Sequence, residues 1–139
     1  RGRAAAVNIV PSSTGAALAA TKAIPELAGK FDGIATRVPV ICGSLIDFTF
    51  IAARPTTVEE INDIFKKAAQ EEQWKDILAV TEEPLVSTDI LRQSFGSIVD
   101  LAMTKVVDGD LVKILAWYDN EWGYGAMLLK HVLTVAQLL

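Results

Sequence analysis

The sequence predicts an α+β domain built on a largely antiparallel sheet, and three observations carry that prediction. Asp108-Gly109 stands between two alternating apolar runs, the strongest short-range signal of a β-hairpin. Thr57, with Glu60 three residues later, forms a capping box ahead of Ile61, Ile64, Phe65, Ala68 and Ala69, which recur at helical spacing. Ile46, Phe48 and Phe50 alternate with Asp47 and Thr49, the pattern of a strand with one covered face.

Taken in order, residues 4–10 are short and apolar, and Pro11 is expected to break that run. Ser12, Ser13 and Thr14 offer N-capping hydroxyls to an alanine-rich helix over residues 16–24, closed near Pro25. Its small side chains suit close packing. Residues 33–40 and 43–53 read as strands, followed by the helix that Thr57 caps. Residues 97–107 and 111–118 are the two strands of the hairpin. Residues 126–139 close the chain as an amphipathic helix, with Leu128, Val132, Val135, Ala136 and Leu139 on one broad face. Helix, strands, helix, strands, helix is an α+β order rather than a doubly wound one.

The 139 residues fit a single domain, 1–139, with no repeat or low-complexity linker to divide it. At 51% hydrophobic and 22% charged, with mean hydropathy +0.34, the chain has enough apolar surface for a core. A net charge of -4 excludes bulk attraction to nucleic acid, so any anion site must be local. One cysteine, Cys42, and one histidine, His131, exclude an internal disulfide and argue against structural zinc; no metal is expected, and a reducing, cytoplasmic setting is the economical reading. The longest uncharged run, residues 4–21, holds Asn8, Pro11, Ser12, Ser13 and Gly15, so no membrane span is expected. The chain opens on Arg1, without an initiator methionine, in ordered-looking sequence, and a preceding segment is expected.

Ser12-Ser13-Thr14-Gly15 at a helix start is the first candidate site. Helix N-termini direct unpaired N–H groups and partial positive charge at an incoming anion, and Gly15 permits close approach. Ordinary capping by Ser and Thr is the plainer reading. Arg1 and Arg3 lie upstream, and Arg37 sits in a strand-like run where its charge needs a partner. That partner is either a phosphate, which a guanidinium grips bidentately, or a carboxylate such as Asp47. The second candidate is Ala116-Trp117-Tyr118-Asp119-Asn120-Glu121-Trp122-Gly123-Tyr124. Asn120 can recognise another carboxamide through paired donor and acceptor; the plainer reading is an aromatic corner capped by Asp119 or Asn120. Cys42 lacks a neighbouring histidine or helix start and reads as a structural thiol. The chain holds no G-x-G-x-x-G, P-loop, H-E-x-x-H or G-x-S-x-G.

Four blocks together carry a resemblance. They are Arg1-Gly2-Arg3-Ala4-Ala5-Ala6-Val7-Asn8-Ile9-Val10-Pro11-Ser12-Ser13-Thr14-Gly15-Ala16-Ala17, Arg37-Val38-Pro39-Val40 with Gly43-Ser44, Glu82-Glu83-Pro84-Leu85-Val86-Ser87, and Trp117-Tyr118-Asp119-Asn120-Glu121-Trp122-Gly123-Tyr124. In order and spacing they resemble the C-terminal, catalytic portion of phosphorylating glyceraldehyde-3-phosphate dehydrogenases. Cys42, Gly125 in a serine position, and Gln93-Ser94-Phe95-Gly96 depart from that pattern.

The resemblance implies a mixed, largely antiparallel sheet with helices packed on one face, used for catalysis and for assembly of a homotetramer. It implies oxidation of glyceraldehyde 3-phosphate with NAD and inorganic phosphate, a glycolytic reaction. A cysteine thiolate attacks the aldehyde, hydride passes to NAD, and phosphate attacks the resulting thioester. Arg1, Thr14 and Gly15 match positions that bind the inorganic phosphate, and Arg37 one that binds the substrate's phosphate. Asn120 matches the residue holding the nicotinamide carboxamide, with Tyr124 beside it. The nucleophilic cysteine, its histidine base and the NAD-binding Rossmann domain are expected upstream of Arg1, so no catalytic residue is assigned here. By itself this chain is expected to be inactive and to bind NAD weakly. The alternatives are a stand-alone, non-catalytic phosphate-binding or assembly module, and a relative acting on erythrose 4-phosphate.

Overall fold

A computed structural model of the chain describes residues 2–139; Arg1, one of the expected phosphate ligands, lies outside the described residues. Two compact units, divided between Ile41 and Cys42, make up the chain.

In the first unit a 3-10 turn, Ala5–Val7, leads to strand β1 (Val10–Ser13), helix α1 (Ala16–Ala23), a second 3-10 turn at Pro25–Leu27, and strand β2 (Ile34–Arg37). β1 and β2 pair antiparallel, Val10 opposite Arg37 and Ser12 opposite Ala35. Pro11 does not break the run as expected; it lies inside β1, opposite Thr36. Each strand of a two-stranded ribbon keeps an unpaired edge, where a residue without an N–H is tolerated. α1 stops one residue before the expected end, and Pro25 opens the turn that follows.

The second unit runs β3 (Ser44–Ile51), α2 (Val58–Ala68), β4 (Leu78–Thr81), β5 (Ser97–Val107), β6 (Leu111–Tyr118) and α3 (Trp122–Ala136). Its sheet has the order β3-β6-β5-β4, antiparallel except for the parallel β4–β5 pair. The fold is thus α+β with a mixed, largely antiparallel sheet. At the hairpin, residues 108–110 connect Val107 to its partner Leu111; Asp108 (φ 53°) and Gly109 (φ 80°) are both left-handed, as the central pair of a mirror-image turn, and the Asp110 amide donates to the Val107 carbonyl at 3.3 Å.

Val99 and Leu101 of β5 and Val112, Ile114 and Ala116 of β6 form the core with Ile61 of α2, while Phe50, Phe65, Leu78 and Val80 pack around them. Ile46, Phe48 and Phe50 stand opposite Ala116, Ile114 and Val112, so the alternation in β3 has the expected register. Only Phe50 joins the core; Ile46 and Phe48 remain 47% and 38% exposed. α2 packs on β5 and β4, away from the β3 edge of the sheet. The Thr57 hydroxyl caps α2 by accepting the Glu60 amide at 3.2 Å. The Glu60 carboxylate does not complete the capping box, because it turns to Arg54 and the Thr56 hydroxyl.

Candidate functional site

The first unit brings three of the expected phosphate-binding residues onto one local frame. Pairing of β1 with β2 sets Arg37 beside the segment that enters α1, and its Nε donates to the Ser12 hydroxyl at 3.3 Å. The same hydroxyl donates to the Ala35 carbonyl at 3.3 Å, so Ser12 ties the two strands and cannot cap the helix. Of the three hydroxyls expected to cap α1, that of Thr14 alone meets a helix amide, accepting the Ala16 N–H at 3.2 Å. Gly15 is the N-cap residue, with φ -89° and open space where a Cβ would stand. Its conformation suits any residue, so nothing about the backbone demands glycine there. Other first-turn amides of α1 point out of the helix start by helical geometry. The alternative carboxylate partner for Arg37 is taken: Asp47 pairs with Lys113 at 2.6 Å. Arg37 is exposed and has no ion pair among the described residues.

In the second unit, Asp119 organises the aromatic segment. It is 3% exposed, at the junction of β6 and α3, and its carboxylate accepts the amides of Arg92, Glu121 and Trp122, each at 2.8 Å. Capping by Asp119 starts α3 at Trp122, four residues earlier than expected, and puts Trp122, Gly123 and Tyr124 in its first turn. Burial opposes ionisation of Asp119. The three amides and the Cys42 thiol outweigh it and hold the carboxyl below its usual range. Gly123 permits this close start, since a Cβ there would stand 2.9 Å from the Phe95 carbonyl oxygen.

Asn120 follows directly, exposed, with its side-chain oxygen turned inward. That oxygen accepts the Gly43 amide at 3.0 Å and the Ser44 hydroxyl at 3.2 Å, with the Cys42 thiol at 3.7 Å. The paired recognition expected of Asn120 is therefore halved: its acceptor is occupied and its Nδ2 donors remain. A cavity of about 170 Å³ beside it is lined by Gly96, Tyr118, Asp119, Asn120, Gly123, Tyr124 and Met127. Tyr124, 66% exposed on the first turn of α3, reaches its rim. A larger hollow of about 530 Å³ lies between Cys42, Leu91, Arg92, Asp119, Glu121 and Trp122. Burial pushes the Cys42 thiol up, the Gly43 backbone opposes that, and Asp119 and Glu121 add to it, so Cys42 stays protonated. A thiol of this kind is no nucleophile at neutral pH.

Sequence reasoning raised Asp119 only as a possible cap and did not assign a role to Ser44. The signal for Asp119 was its place just before a helix; Ser44 sits 76 residues from Asn120, and no local pattern links them. Among the described residues no cluster of His, Cys, Asp and Glu could hold a metal, and no helix is long and apolar enough to cross a membrane.

Comparison with known proteins adds a third line. Residues 1–120 match the family model described as glyceraldehyde 3-phosphate dehydrogenase, C-terminal domain. The chain is 45% identical over 139 residues to the glyceraldehyde-3-phosphate dehydrogenase of Zymomonas mobilis, covering 100% of this chain and 41% of that protein. It is 50% identical over 136 residues to glyceraldehyde-3-phosphate dehydrogenase 3 of a Nostoc species, covering 98% and 40%. It is 48% identical over 139 residues to the enzyme of that name from Mycobacterium avium, covering 100% and 40%. The chain thus spans about two fifths of the length of the curated relatives it matches.

Proposed function

The chain belongs to the glyceraldehyde-3-phosphate dehydrogenase family, within its C-terminal domain, and from that premise we propose that it is the phosphate-binding and nicotinamide-contacting part of an NAD-dependent, phosphorylating glyceraldehyde-3-phosphate dehydrogenase. The complete protein oxidises glyceraldehyde 3-phosphate in glycolysis, in the cytoplasm and as a homotetramer. Its attacking cysteine, histidine base and Rossmann domain belong to sequence outside this chain. Both compact units belong to one catalytic and oligomerisation domain.

Within it, Arg37 takes the substrate's phosphate, while Thr14, Gly15 and Arg1 receive the inorganic phosphate. The observation that carries this reading is the Arg37–Ser12 bond across β1 and β2, which ties a guanidinium to the strand that leads into α1. An anion there meets a fixed positive charge and outward amides, and two anions that must approach each other gain most from such a preset frame. The residues around Asn120 fit the nicotinamide end of NAD. An occupied acceptor and free donors suit a ligand carbonyl, and a hollow of about 170 Å³ is the size of a ring with a carboxamide rather than of a dinucleotide. When bound, NAD would supply the hydride acceptor; the contribution of Asn120 and Tyr124 is to orient its ring. The exposed apolar surface of α3, including Leu128, Val132 and Leu133, packs on the Rossmann domain.

The test is turnover by the purified full-length protein. NAD reduction requiring both glyceraldehyde 3-phosphate and inorganic phosphate, and slower with erythrose 4-phosphate, is the expected result. Turnover that is indifferent to inorganic phosphate, or faster with the tetrose phosphate, contradicts the assignment.

A further inference from the structure

Resting on the assignment of Asn120 to the nicotinamide carboxamide, we infer that Ser44 is a positioning residue for the cofactor: its hydroxyl holds the Asn120 side chain against Gly43, whose amide fixes which way round that side chain stands. Three donors from residues 42–44 converge on one Asn120 atom, the Gly43 N–H at 3.0 Å, the Ser44 hydroxyl at 3.2 Å and the Cys42 thiol at 3.7 Å. An amide oxygen accepts there; a flipped side chain would set its NH2 group against the Gly43 N–H, donor to donor.

The geometry of the three donors is held from elsewhere. Gly43 has φ +91°, and a Cβ on it would stand 2.8 Å from the Ser87 carbonyl oxygen, so only glycine lets the backbone pass Ser87 this closely and present its N–H to Asn120. Ser44 opens β3 opposite Tyr118, two residues before Asn120, and so moves with the strand that delivers Asn120. Asp119 anchors the same corner through three amides. Of the three donors to Asn120, Ser44 supplies the only one that is a strong side-chain donor and can be removed without disturbing the backbone. The consequence is an Asn120 side chain that offers its N–H donors, its oxygen being occupied, and so reads the carbonyl oxygen of a carboxamide. Without the Ser44 hydroxyl the Asn120 side chain loses one of the bonds that hold it in this rotamer, and part of the population no longer presents its N–H donors to that carbonyl.

The experiment measures cofactor affinity in the full-length protein by titration calorimetry, without aldehyde. The two ligands are NAD and a dinucleotide analogue lacking the carbonyl at the ring's 3-position. Ser44→Ala is expected to weaken NAD about fivefold, the order carried by one neutral hydrogen bond. It should leave the carbonyl-free analogue unchanged, and Ser44→Thr, which keeps the hydroxyl, should restore wild-type NAD affinity. Equal NAD affinity in Ser44→Ala and wild type overturns the inference, as does an equal loss with both ligands, which marks a general structural effect. Asn120→Ala separates the two levels. If it weakens NAD while Ser44→Ala does not, only the role of Ser44 falls; if neither does, the assignment of Asn120 falls with it.

Discussion

Replacing Asp119 by asparagine removes one oxygen from the most constrained corner of the second unit. The wild-type carboxylate splits its work, one oxygen accepting the Glu121 and Trp122 amides and the other the Arg92 amide, all at 2.8 Å. An asparagine can keep its oxygen on the α3 pair, and then its NH2 group faces the Arg92 N–H. One hydrogen bond to a charged acceptor is lost, about 1.5–3 kcal/mol, and a donor is stranded at a position where Asp119 is 3% exposed, at about 1–3 kcal/mol. The two overlap, and about 3 kcal/mol is the working figure. Local opening then becomes easier by about two powers of ten. Hydrogen-exchange mass spectrometry on the full-length protein reads this directly. Peptides covering Arg92 and residues 121–122 should lose about a hundredfold in protection, while those over the β5–β6 hairpin hold theirs. Unchanged protection at Arg92 refutes the reasoning, because that amide's partner is the oxygen that asparagine lacks.

Other outcomes follow from the same structure. Glu60 is held at about 2 by Arg54 and the Thr56 hydroxyl, against an ordinary value of 4.5. Its folded value is the lower one, so its contribution is complete above pH about 4.5 and is lost as pH falls towards 2; the amides of the first turn of α2 should lose protection over that window and not above it. Gly123→Ala forces a methyl to within 2.9 Å of the Phe95 carbonyl and should lower the unfolding midpoint by several degrees, where an exposed helical glycine changed to alanine would raise it.

The elements most legible in the sequence are those whose signal is local. Asp108-Gly109 announced the hairpin because few residue pairs tolerate two successive left-handed positions, and Thr57 announced α2 because a hydroxyl cap needs only its own first turn. β4 went unseen: Leu78-Ala79-Val80-Thr81 is four residues long, pairs in parallel with β5, and shows no alternation to mark it. The start of α3 was misplaced because Trp122, Gly123 and Tyr124 are indifferent helix formers, and the cap that compels them is a buried carboxylate. That Thr14 would meet the first amide of α1 was legible from residue type, while the partner of Arg37 was not, since residue type left phosphate and carboxylate both open. What Asn120 can offer was not legible either, since its oxygen is claimed by Gly43 and Ser44, far away in the chain.

The central claim is that Arg37 serves the substrate's phosphate, and the most direct measurement compares two aldehydes, with and without that group, in the full-length protein. Arg37→Ala should reduce kcat/KM for glyceraldehyde 3-phosphate by about 10- to 100-fold, the loss of one charge-assisted contact. It should leave kcat/KM for unphosphorylated glyceraldehyde and the unfolding midpoint near wild type, since Arg37 is exposed and, among the described residues, its side chain bonds a hydroxyl and makes no ion pair. Equal losses for the two aldehydes, or none for either, would contradict the account.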